Sequence, residues 1–250
     1  MQIHREMMSR LSVFFLLLSV LSLLPARAET YVVVVGVANY QNVRGLALTE
    51  NDAKTMASLY KSHTRNVITM TGRYATRANI LKAMNDQFAR AKKGDMVVFF
   101  FSGHGYEGGF CPYDMGRKYR NALSYEDVYS VFRRSKASRK VVIADACMSG
   151  GLRKEKPSGA SARKSSDVLM FLSSRTNEYS IENRKMHNGF FTAYLDRGMR
   201  GAADANKDKV VTAKELFTYV SKGVKQLSGN RQHPVMWGNF SDDFVVMDWR

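Results

Sequence analysis

Two segments decide the fold of this chain: FFFSGHG at residues 99–105 and VVIADACMSG at residues 141–150. Each is an apolar run that ends in small, turn-forming residues, which is the pattern of a strand buried inside a parallel sheet. In open α/β sheets the chemistry lies just beyond the carboxyl ends of such strands. If the two strands are neighbours, His104 and Cys147 meet at one edge of the sheet. The pattern therefore predicts a site that contains an imidazole and a thiol.

Strand-like and helix-like segments alternate along the rest of the chain. Predicted strands cover residues 31–37, 67–70, 95–101, 140–144 and 168–173, and predicted helices cover residues 46–60, 76–93, 124–134, 189–200 and 212–227. Thr76 is a candidate helix cap, and Ser124 with Asp127 matches a capping box. Alternation of this kind produces a mostly parallel sheet with helices on both faces. The predicted fold class is therefore α/β.

Residues 1–28 have the pattern of a secretory signal peptide. Basic residues precede the apolar stretch Leu11 to Leu24, and Ala26-Arg27-Ala28 resembles a signal-peptidase site. An uncleaved membrane anchor is the less favoured alternative, because the apolar stretch has 14 residues and a bilayer span needs about 20. Cleavage after Ala28 leaves residues 29–250, a length that suits one domain with a full core. We expect a secreted or periplasmic protein without a stable membrane span after the signal is removed.

The chain is strongly basic, with 38 Lys and Arg against 22 Asp and Glu and a formal net charge of +16. Such a charge is typical of proteins that bind nucleic acid. Here the basic residues are scattered, and the sequence carries no helix-turn-helix, zinc-finger or RNA-binding signature. We therefore expect no nucleic-acid partner.

Cys111 and Cys147 are the two cysteines of the chain. In an oxidising compartment such a pair often forms a structural disulfide. Cys147, however, directly follows a predicted buried strand among small residues, where a reactive side chain is expected, and a disulfide would consume its thiol. We predict a reduced, nucleophilic Cys147. The alternatives are a structural disulfide with Cys111 and a reversible bridge to it that acts as a redox lock.

Cys147 and His104 together favour nucleophilic catalysis. A thiolate is a good nucleophile, and a nearby imidazole promotes its formation and protonates a leaving amine. The backbone N–H groups of Gly105 and Cys147 are the candidate donors to the oxyanion. Taken singly, His104 is typical of a turn histidine and Cys147 of a small buried hydrophobe. Their occurrence at matching strand ends favours the catalytic interpretation.

The combination of SGHG at residues 102–105 and DACMSG at residues 145–150 resembles the metacaspase and bacterial caspase-like branch of the caspase-fold cysteine peptidases. Four further segments match in order: GVANY at 36–40, NDA at 51–53, NGFFT at 188–192, and QHP at 232–234 with Gly238. The resemblance implies a caspase-like α/β fold and a cysteine endopeptidase that requires no cofactor. It also implies a large-subunit-like part (29–152), a linker loop (153–167) and a small-subunit-like part (168–250) within one peptidase domain.

The same resemblance implies a substrate preference. Relatives of this branch use acidic residues to bind an arginine or lysine side chain, and Asp145, Asp52 and Ser102 occupy the matching positions. Partly desolvated carboxylates attract a guanidinium or ammonium group strongly. The alternatives are a helix-surface carboxylate for Asp52 and a loop-orienting role for Asp145. The expected partner is a protein or peptide substrate with Arg or Lys at the cleavage site.

The predicted linker loop is polar, basic and typical of an exposed segment. Its candidate self-cleavage positions are Arg153, Lys154, Lys156, Arg163 and Lys164. In the family that the chain resembles, the matching segment is often cut by the enzyme itself. Two outcomes therefore stay open: self-cleavage after one of these residues, or an uncut solvated loop.

Residues 204–215 follow the spacing of a calcium-binding EF-hand loop. Oxygen ligands occupy positions 1, 3, 5 and 12 of this loop: Asp204, Asn206, Asp208 and Glu215. Lys209 stands at position 6, where glycine normally permits the sharp turn, so any calcium binding is expected to be weak. The alternative is a loop in which Asp208 or Thr212 caps the last helix.

Two other function classes explain part of the sequence. A caspase-like binding or scaffolding module would need neither Cys147 nor His104, so the presence of both argues against it. A calcium-binding envelope protein rests on residues 204–215 alone. The sequence therefore favours a cysteine endopeptidase with a Cys-His dyad.

Overall fold

The computed structural model describes residues 28–106, 108–146, 168–175, 186–238 and 240–250. In chain order its strands are β1 (Thr30–Gly36), β2 (Val67–Thr71), β3 (Met96–Gly103), β4 (Gly105–Tyr106), β5 (Gly109–Phe110), β6 (Leu123–Ser124), β7 (Arg139–Ala146), β8 (Val168–Leu172), β9 (Val210–Thr212), β10 (Val235–Trp237) and β11 (Val245–Asp248). Its helices are α1 (Thr49–Lys61), α2 (Arg77–Phe88), α3 (Tyr125–Arg134), α4 (Phe190–Arg197) and α5 (Ala213–Leu227), and a π-helical turn, Gly198–Ala202, extends α4.

A six-stranded sheet in the order β10-β8-β7-β3-β1-β2 forms the centre of the domain. Strands β2, β1, β3, β7 and β8 are parallel, and β10 pairs with β8 in the antiparallel sense. Strands β3 and β7 are neighbours, with Ser102 opposite Asp145 and Gly103 opposite Ala146. The carboxyl ends of β3 and β7, the strands that precede His104 and Cys147, therefore lie side by side.

Helices cover both faces of this sheet, and the sheet separates two hydrophobic cores. Val33 and Val35 of β1 belong to the core that includes α2 and α3. Val32 and Val34 belong to the opposite core, which includes α1, α4 and α5. Because successive side chains of a strand alternate between faces, burial on both faces requires a continuous apolar run. The predicted α/β fold with a mostly parallel sheet is confirmed.

The predicted helix starts are confirmed by their caps. Thr76 Oγ1 accepts a hydrogen bond from a backbone N–H in the first turn of α2. Ser124 and Asp127 form a reciprocal capping box at α3, and Thr212 and Glu215 form another at α5. Such caps contribute about 1 kcal/mol each. The short local motifs in the sequence therefore specify where these helices begin.

The structure differs from the sequence prediction mainly at element ends and in the smallest strands. Helix α2 ends at Phe88 rather than at Lys93, because the Asp95 carboxylate accepts the Lys92 N–H at 2.7 Å and closes a turn before β3. The three-stranded sheet β4-β5-β6 and the pair β9-β11 were not predicted from the sequence. Strands of two to four residues carry too little periodicity to be recognised.

Two predicted segments lie outside the described residues: the signal sequence before Ala28 and the linker loop at 153–167. Within the described part of the chain, no helix has both the length and the apolar character needed to cross a bilayer.

Candidate active site

His104 directly follows β3 and is held by the segment after β1. Its backbone N–H donates to Tyr40 Oη at 2.7 Å, and its Nε2 lies 2.8 Å from the carbonyl oxygen of Arg44. A carbonyl oxygen only accepts hydrogen bonds, so Nε2 carries a proton and Nδ1 of the neutral ring has the lone pair. The Tyr40 ring also packs against the imidazole, with centroids 5.0 Å apart. Both the orientation and the tautomer of His104 are therefore determined by its surroundings.

The glycine before His104 makes this arrangement sterically feasible. A Cβ atom at Gly103 would lie 2.8 Å from Tyr40 Oη and 2.9 Å from the ring of Phe101. On the other side of His104, its carbonyl oxygen accepts the Cys111 N–H at 2.9 Å, which extends the pairing of β4 with β5. Cys111 is buried. His104 is thus held by main-chain and side-chain contacts from both directions.

The predicted nucleophile, Cys147, follows β7 and lies outside the described residues. The residue before it, Ala146, is anchored by Ser173, whose Oγ accepts the Ala146 N–H at 3.1 Å. The buried Gln232 in turn donates to the Ser173 carbonyl at 3.0 Å. Gly105, the other proposed oxyanion donor, opens β4. The Cys-His dyad and the oxyanion donors therefore stay predictions, supported by the adjacent ends of β3 and β7.

Asp52 is buried beneath this edge of the sheet, with 2% of its surface exposed. Its Oδ1 accepts hydrogen bonds from the Gly189 N–H at 3.0 Å and from Asn188 Nδ2 at 2.9 Å. Its Oδ2 accepts a hydrogen bond from Ser102 Oγ at 2.8 Å. The interpretation of Asp52 as a helix-surface carboxylate is therefore wrong. The side chain points from α1 into the protein, where it joins α1 to β3 and to the start of α4.

Asp145, near the end of β7, is also buried, with 5% of its surface exposed. Its Oδ2 accepts two hydrogen bonds from Thr192, from the backbone N–H at 3.2 Å and from Oγ1 at 2.7 Å. Thr192 lies in the first turn of α4, where backbone N–H groups have no partner within the helix. Asp145 thus fulfils a capping role across the fold, and the partial positive charge of a helix N-terminus favours its carboxylate.

The two carboxylates converge at Gly189. A Cβ atom at this position would lie 2.9 Å from Asp145 Oδ2 and 3.4 Å from Asp52 Oδ2. The backbone of Gly189 has φ −55°, which any residue can adopt, so glycine is needed here for space rather than for conformation. The space above the Gly189 Cα is therefore bordered by two acidic oxygens and would be filled by any side chain.

Burial, and after it the repulsion from Asp145, raises the pKa of Asp52 from its ordinary value to about 8. Hydrogen bonds from Asn188, Ser102 and Gly189 act in the opposite direction, because they favour the ionised carboxylate. A carboxyl group with this pKa keeps its proton at neutral pH. A positive charge beside Asp52 and Asp145 would therefore favour the ionised form of Asp52, which burial and charge repulsion otherwise oppose.

The sequence pattern assigns no role to several residues of this site. Tyr40, Asn188 and Thr192 belong to segments that match the family, and no motif singles out Arg44. The available signal was the NGFFT segment, since it opens a predicted helix whose N-terminus attracts carboxylates. Which carboxylates it contacts depends on the fold.

The candidate calcium loop satisfies its oxygens with its own backbone. Asp204 Oδ2 accepts the Lys209 N–H at 2.9 Å, and Asn206 Oδ1 accepts the Asp208 N–H at 3.0 Å. Glu215 Oε1 accepts the Ala205 N–H at 3.1 Å. Lys209 adopts φ +66°, the left-handed conformation that glycine provides in the usual motif.

The end of this loop is a helix cap. Thr212, rather than Asp208, caps α5, and Glu215 Oε2 accepts both the N–H and the hydroxyl of Thr212, at 3.0 and 2.7 Å. In the described ranges, no group of three or more His, Cys, Asp or Glu side chains is arranged to hold a metal ion. Weak calcium binding by residues 204–215 stays a prediction.

The central sheet, the helices on both faces and the site where β3 and β7 end define a protein of the caspase-like α/β class. The caspase domain family, Peptidase C14, matches residues 29–245. The chain therefore belongs to this family. The domain is therefore a caspase-like peptidase domain, and membership in a protease family implies protein substrates.

Solved structures show the same architecture. The crystal structure of protein GSU0716 from Geobacter sulfurreducens matches with a TM-score of 0.64 over 88% of this chain and 98% of that chain, at 17% sequence identity. At this level of identity the similarity concerns the fold alone. A comparison with curated proteins found no match.

Proposed function

We propose that this protein is a cysteine endopeptidase that cleaves peptide bonds after arginine or lysine. The observation that carries the proposal is the buried carboxyl pair, Asp52 and Asp145, which borders the space above Gly189 where β3 and β7 end. In the sequence, Asp145 precedes Cys147 by two residues, and Ser102, which donates to Asp52, precedes His104 by two residues. An acidic recognition site is thereby linked to both proposed catalytic residues.

In the proposed mechanism, Nδ1 of His104 accepts the proton of the Cys147 thiol. The thiolate attacks the carbonyl carbon of the scissile bond, and the N–H groups of Gly105 and Cys147 stabilise the oxyanion. The protonated His104 then transfers its proton to the leaving amine, which leaves a thioester on Cys147. Water attacks the thioester, with His104 as the base, and regenerates the thiol. The hydrogen bond from Nε2 to the Arg44 carbonyl keeps the ring oriented throughout.

Specificity in this proposal comes from charge compensation. The side chain of the substrate arginine or lysine enters beside Asp52 and Asp145 and displaces the proton that Asp52 holds at neutral pH. Desolvated, charge-assisted hydrogen bonds of this kind are stronger than those between neutral groups. An uncharged side chain offers no such compensation, and an aspartate side chain is repelled.

The test is a panel of peptidyl amides that differ only in the residue before the cleaved bond: Arg, Lys, Ala or Asp. We expect turnover of the Arg and Lys substrates alone, a loss of at least about 1,000-fold in Cys147→Ala, and little change in the matched control Cys111→Ala. Covalent labelling by an arginyl chloromethyl ketone should follow the same pattern. Absence of both turnover and labelling, or equal rates in the Cys147→Ala variant, would overturn the assignment.

A second panel separates the imidazole of His104 from a general effect of removing a histidine. His104→Ala should abolish turnover. His63→Ala should leave it intact, because His63 packs beside Trp249 near Met96 and Arg139, where β3 and β7 begin, at the opposite ends of these strands from His104. If both variants keep full activity, His104 is not the acid-base group.

We also propose that the enzyme cuts its own linker loop after one or more of Arg153, Lys154, Lys156, Arg163 and Lys164. The basic side chains of this segment match the proposed substrate preference. Purified protein and Cys147→Ala should be incubated in parallel, and the new N-termini sequenced. Cleavage confined to the active protein supports self-processing, and equal cleavage in both rules it out.

The proposed site of action is outside the cytoplasm, on the basis of the leader pattern at residues 1–28. Expression of the full chain followed by N-terminal sequencing of the exported product should give a sequence that begins at Glu29. Recovery of the protein in the cytoplasm with residues 1–28 intact would contradict export.

A further inference from the structure

An aromatic pair joins the β4-β5 hairpin that follows His104 to the turn Arg117–Tyr119 between β5 and β6. Tyr106, at the end of β4, stacks on Tyr119, with ring centroids 4.7 Å apart and 20° between the ring planes. Tyr119 is 60% exposed, so the pair presents a flat aromatic surface to solvent. Tyrosines of this kind supply a large, rigid contact area at a low cost in side-chain entropy.

The hairpin is shaped to hold Tyr106 flat. A Cβ atom at Gly109 would lie 2.7 Å from both Cε1 and Oη of Tyr106 and 2.3 Å from the carbonyl oxygen of Leu123. Only glycine therefore allows the tyrosine ring to lie against the backbone of β5. The packing of the three-stranded sheet therefore determines the position of the Tyr106 ring.

The other half of the pair is held by an unfavourable backbone. Tyr119 has φ +58°, the preceding Lys118 has φ +54°, and Asn121 has φ +60°. Residues other than glycine and asparagine rarely adopt this left-handed conformation. The Ala122 N–H donates to the Tyr119 carbonyl at 3.0 Å and closes the turn. Strained backbone of this kind concentrates at functional sites.

The pair lies close to the proposed acid-base residue. The hydrogen bond from the Cys111 N–H to the His104 carbonyl extends the β4-β5 ladder to His104, so His104 and Tyr106 are alternate residues of one strand. Alternate side chains of a strand share a face and are about 7 Å apart. The proposed mechanism makes His104 the donor to the leaving amine, so the part of the substrate after the cut begins here. An extended peptide advances about 3.4 Å per residue.

We propose that Tyr106 and Tyr119 form a subsite for an aromatic side chain two or three residues after the cleaved bond. This inference rests on the proposed function and deepens it, since it concerns the leaving side of the same substrate. Arg117, Lys118 and Arg120 flank Tyr119 in the sequence and are exposed. Their charges favour an acidic residue next to the aromatic one.

The experiment uses internally quenched peptides with arginine before the cut and either Phe or Ala at the second or third position after it. We expect the wild type to prefer Phe about three- to tenfold in kcat/KM. Tyr119→Gly suits the left-handed backbone, so it should preserve folding and remove the preference, whereas Tyr119→Phe should retain it. Tyr74→Ala, at a tyrosine of matching 61% exposure, is the control and should change nothing.

A simple arginyl amide has no residues after the cleaved bond, so it tests the proposed peptidase activity separately from the aromatic subsite. Its turnover should be the same in the wild type and in Tyr119→Gly. If the amide is turned over but the Phe-to-Ala ratio is the same in both proteins, the subsite is refuted while the proposed function stands. If the wild type turns over no arginyl substrate, the proposed function and this inference are both overturned.

Discussion

Two acidic clusters of this chain contain similar side chains but have different environments. Asp52 and its partner Gly189 are 137 positions apart in the sequence, and Asp52 and Asp145 are nearly completely buried. Asp204 and Asp208 lie within one short loop, where Asp204 is half-buried and Asp208 is exposed, and both accept hydrogen bonds from the backbone of that loop. The first cluster is assembled by the fold, and the second is a local motif.

The difference appears in the protonation of the two clusters. Burial and the neighbouring Asp145 raise the pKa of Asp52 to about 8. At the loop, partial burial acts in the same direction on Glu215, but hydrogen bonds from Thr212 and Ala205 outweigh it and lower the pKa of Glu215. Burial and charge repulsion therefore favour the protonated form of Asp52 in the first cluster, whereas hydrogen bonds favour an ionised Glu215 at a helix start in the second.

Among the substitutions that compare the two clusters, Asp52→Asn has the largest expected effect. Loss of the charged partner should lower kcat/KM for arginyl substrates by about 100-fold. The same substitution should raise the free energy of unfolding at pH 8 and above, because it removes a buried carboxyl group whose ionisation Asp145 opposes. Enzyme kinetics and urea titration measure the two effects.

Asp204→Asn is the matched control in the loop cluster and should leave kcat/KM unchanged. An equal loss of activity in Asp52→Asn and Asp204→Asn would contradict a specific role of the buried carboxyl pair in substrate binding.

Gly189→Ala tests the space between the carboxylates. Its Cβ would lie 2.9 Å from Asp145 Oδ2, so we expect a destabilisation of about 1–3 kcal/mol and a weakened preference for arginine over alanine. Gly94→Ala is the control. Nothing lies within 4 Å of the Cβ that it would add, and the φ of Gly94, +96°, is unfavourable for alanine. That variant should lose stability and keep its substrate preference, whereas unchanged preference in Gly189→Ala would show that the space is not used.

The stability of the protein should depend on pH through Asp52. Its pKa is raised in the folded state, so the folded protein binds more protons than the unfolded chain between about pH 4 and 8. The contribution of Asp52 to the free energy of unfolding is therefore complete below pH 4 and falls as pH rises, by at most about 1.4 kcal/mol per pH unit. The difference between wild type and Asp52→Asn in urea unfolding at pH 5 to 9 isolates it, and a constant difference would refute the raised pKa.

The same proton should compete with the substrate. As pH falls below 8, KM for arginyl substrates should rise by up to about tenfold per pH unit. Alkylation of Cys147 by iodoacetamide in the Cys111→Ala background is the control, since this reagent has no basic group and reports the thiol alone. If KM and the alkylation rate follow one titration, the effect belongs to the dyad rather than to the acidic pair.

The smallest expected effect concerns the local cluster. Thr212→Ala removes the hydroxyl that caps α5 and should lower the free energy of unfolding by about 1 kcal/mol. Activity and its pH dependence should not change. Calorimetric titration with calcium should give only weak binding, and tight binding would show that the loop serves a metal rather than the helix alone.

Much of the fold follows from local patterns in the sequence. The apolar runs before His104 and Cys147 predicted two buried parallel strands, and Thr76, Ser124 and Thr212 predicted helix starts. Those features depend on residues a few positions apart. Asp52 illustrates what such patterns miss: its helix was predicted, but its contact with Asn188 and Gly189 depends on how α1 and α4 pack on the sheet. The strands of two to four residues were missed because their pattern is too short.

By itself the sequence determined the family, the alternation of strands and helices, and the residue types available for chemistry, since each of these is encoded in short segments. Only the tertiary structure decided which carboxylates meet and in which protonation state. The physical reason is that pKa values and steric space depend on burial and on distances between atoms. These are set when residues far apart in the chain pack together.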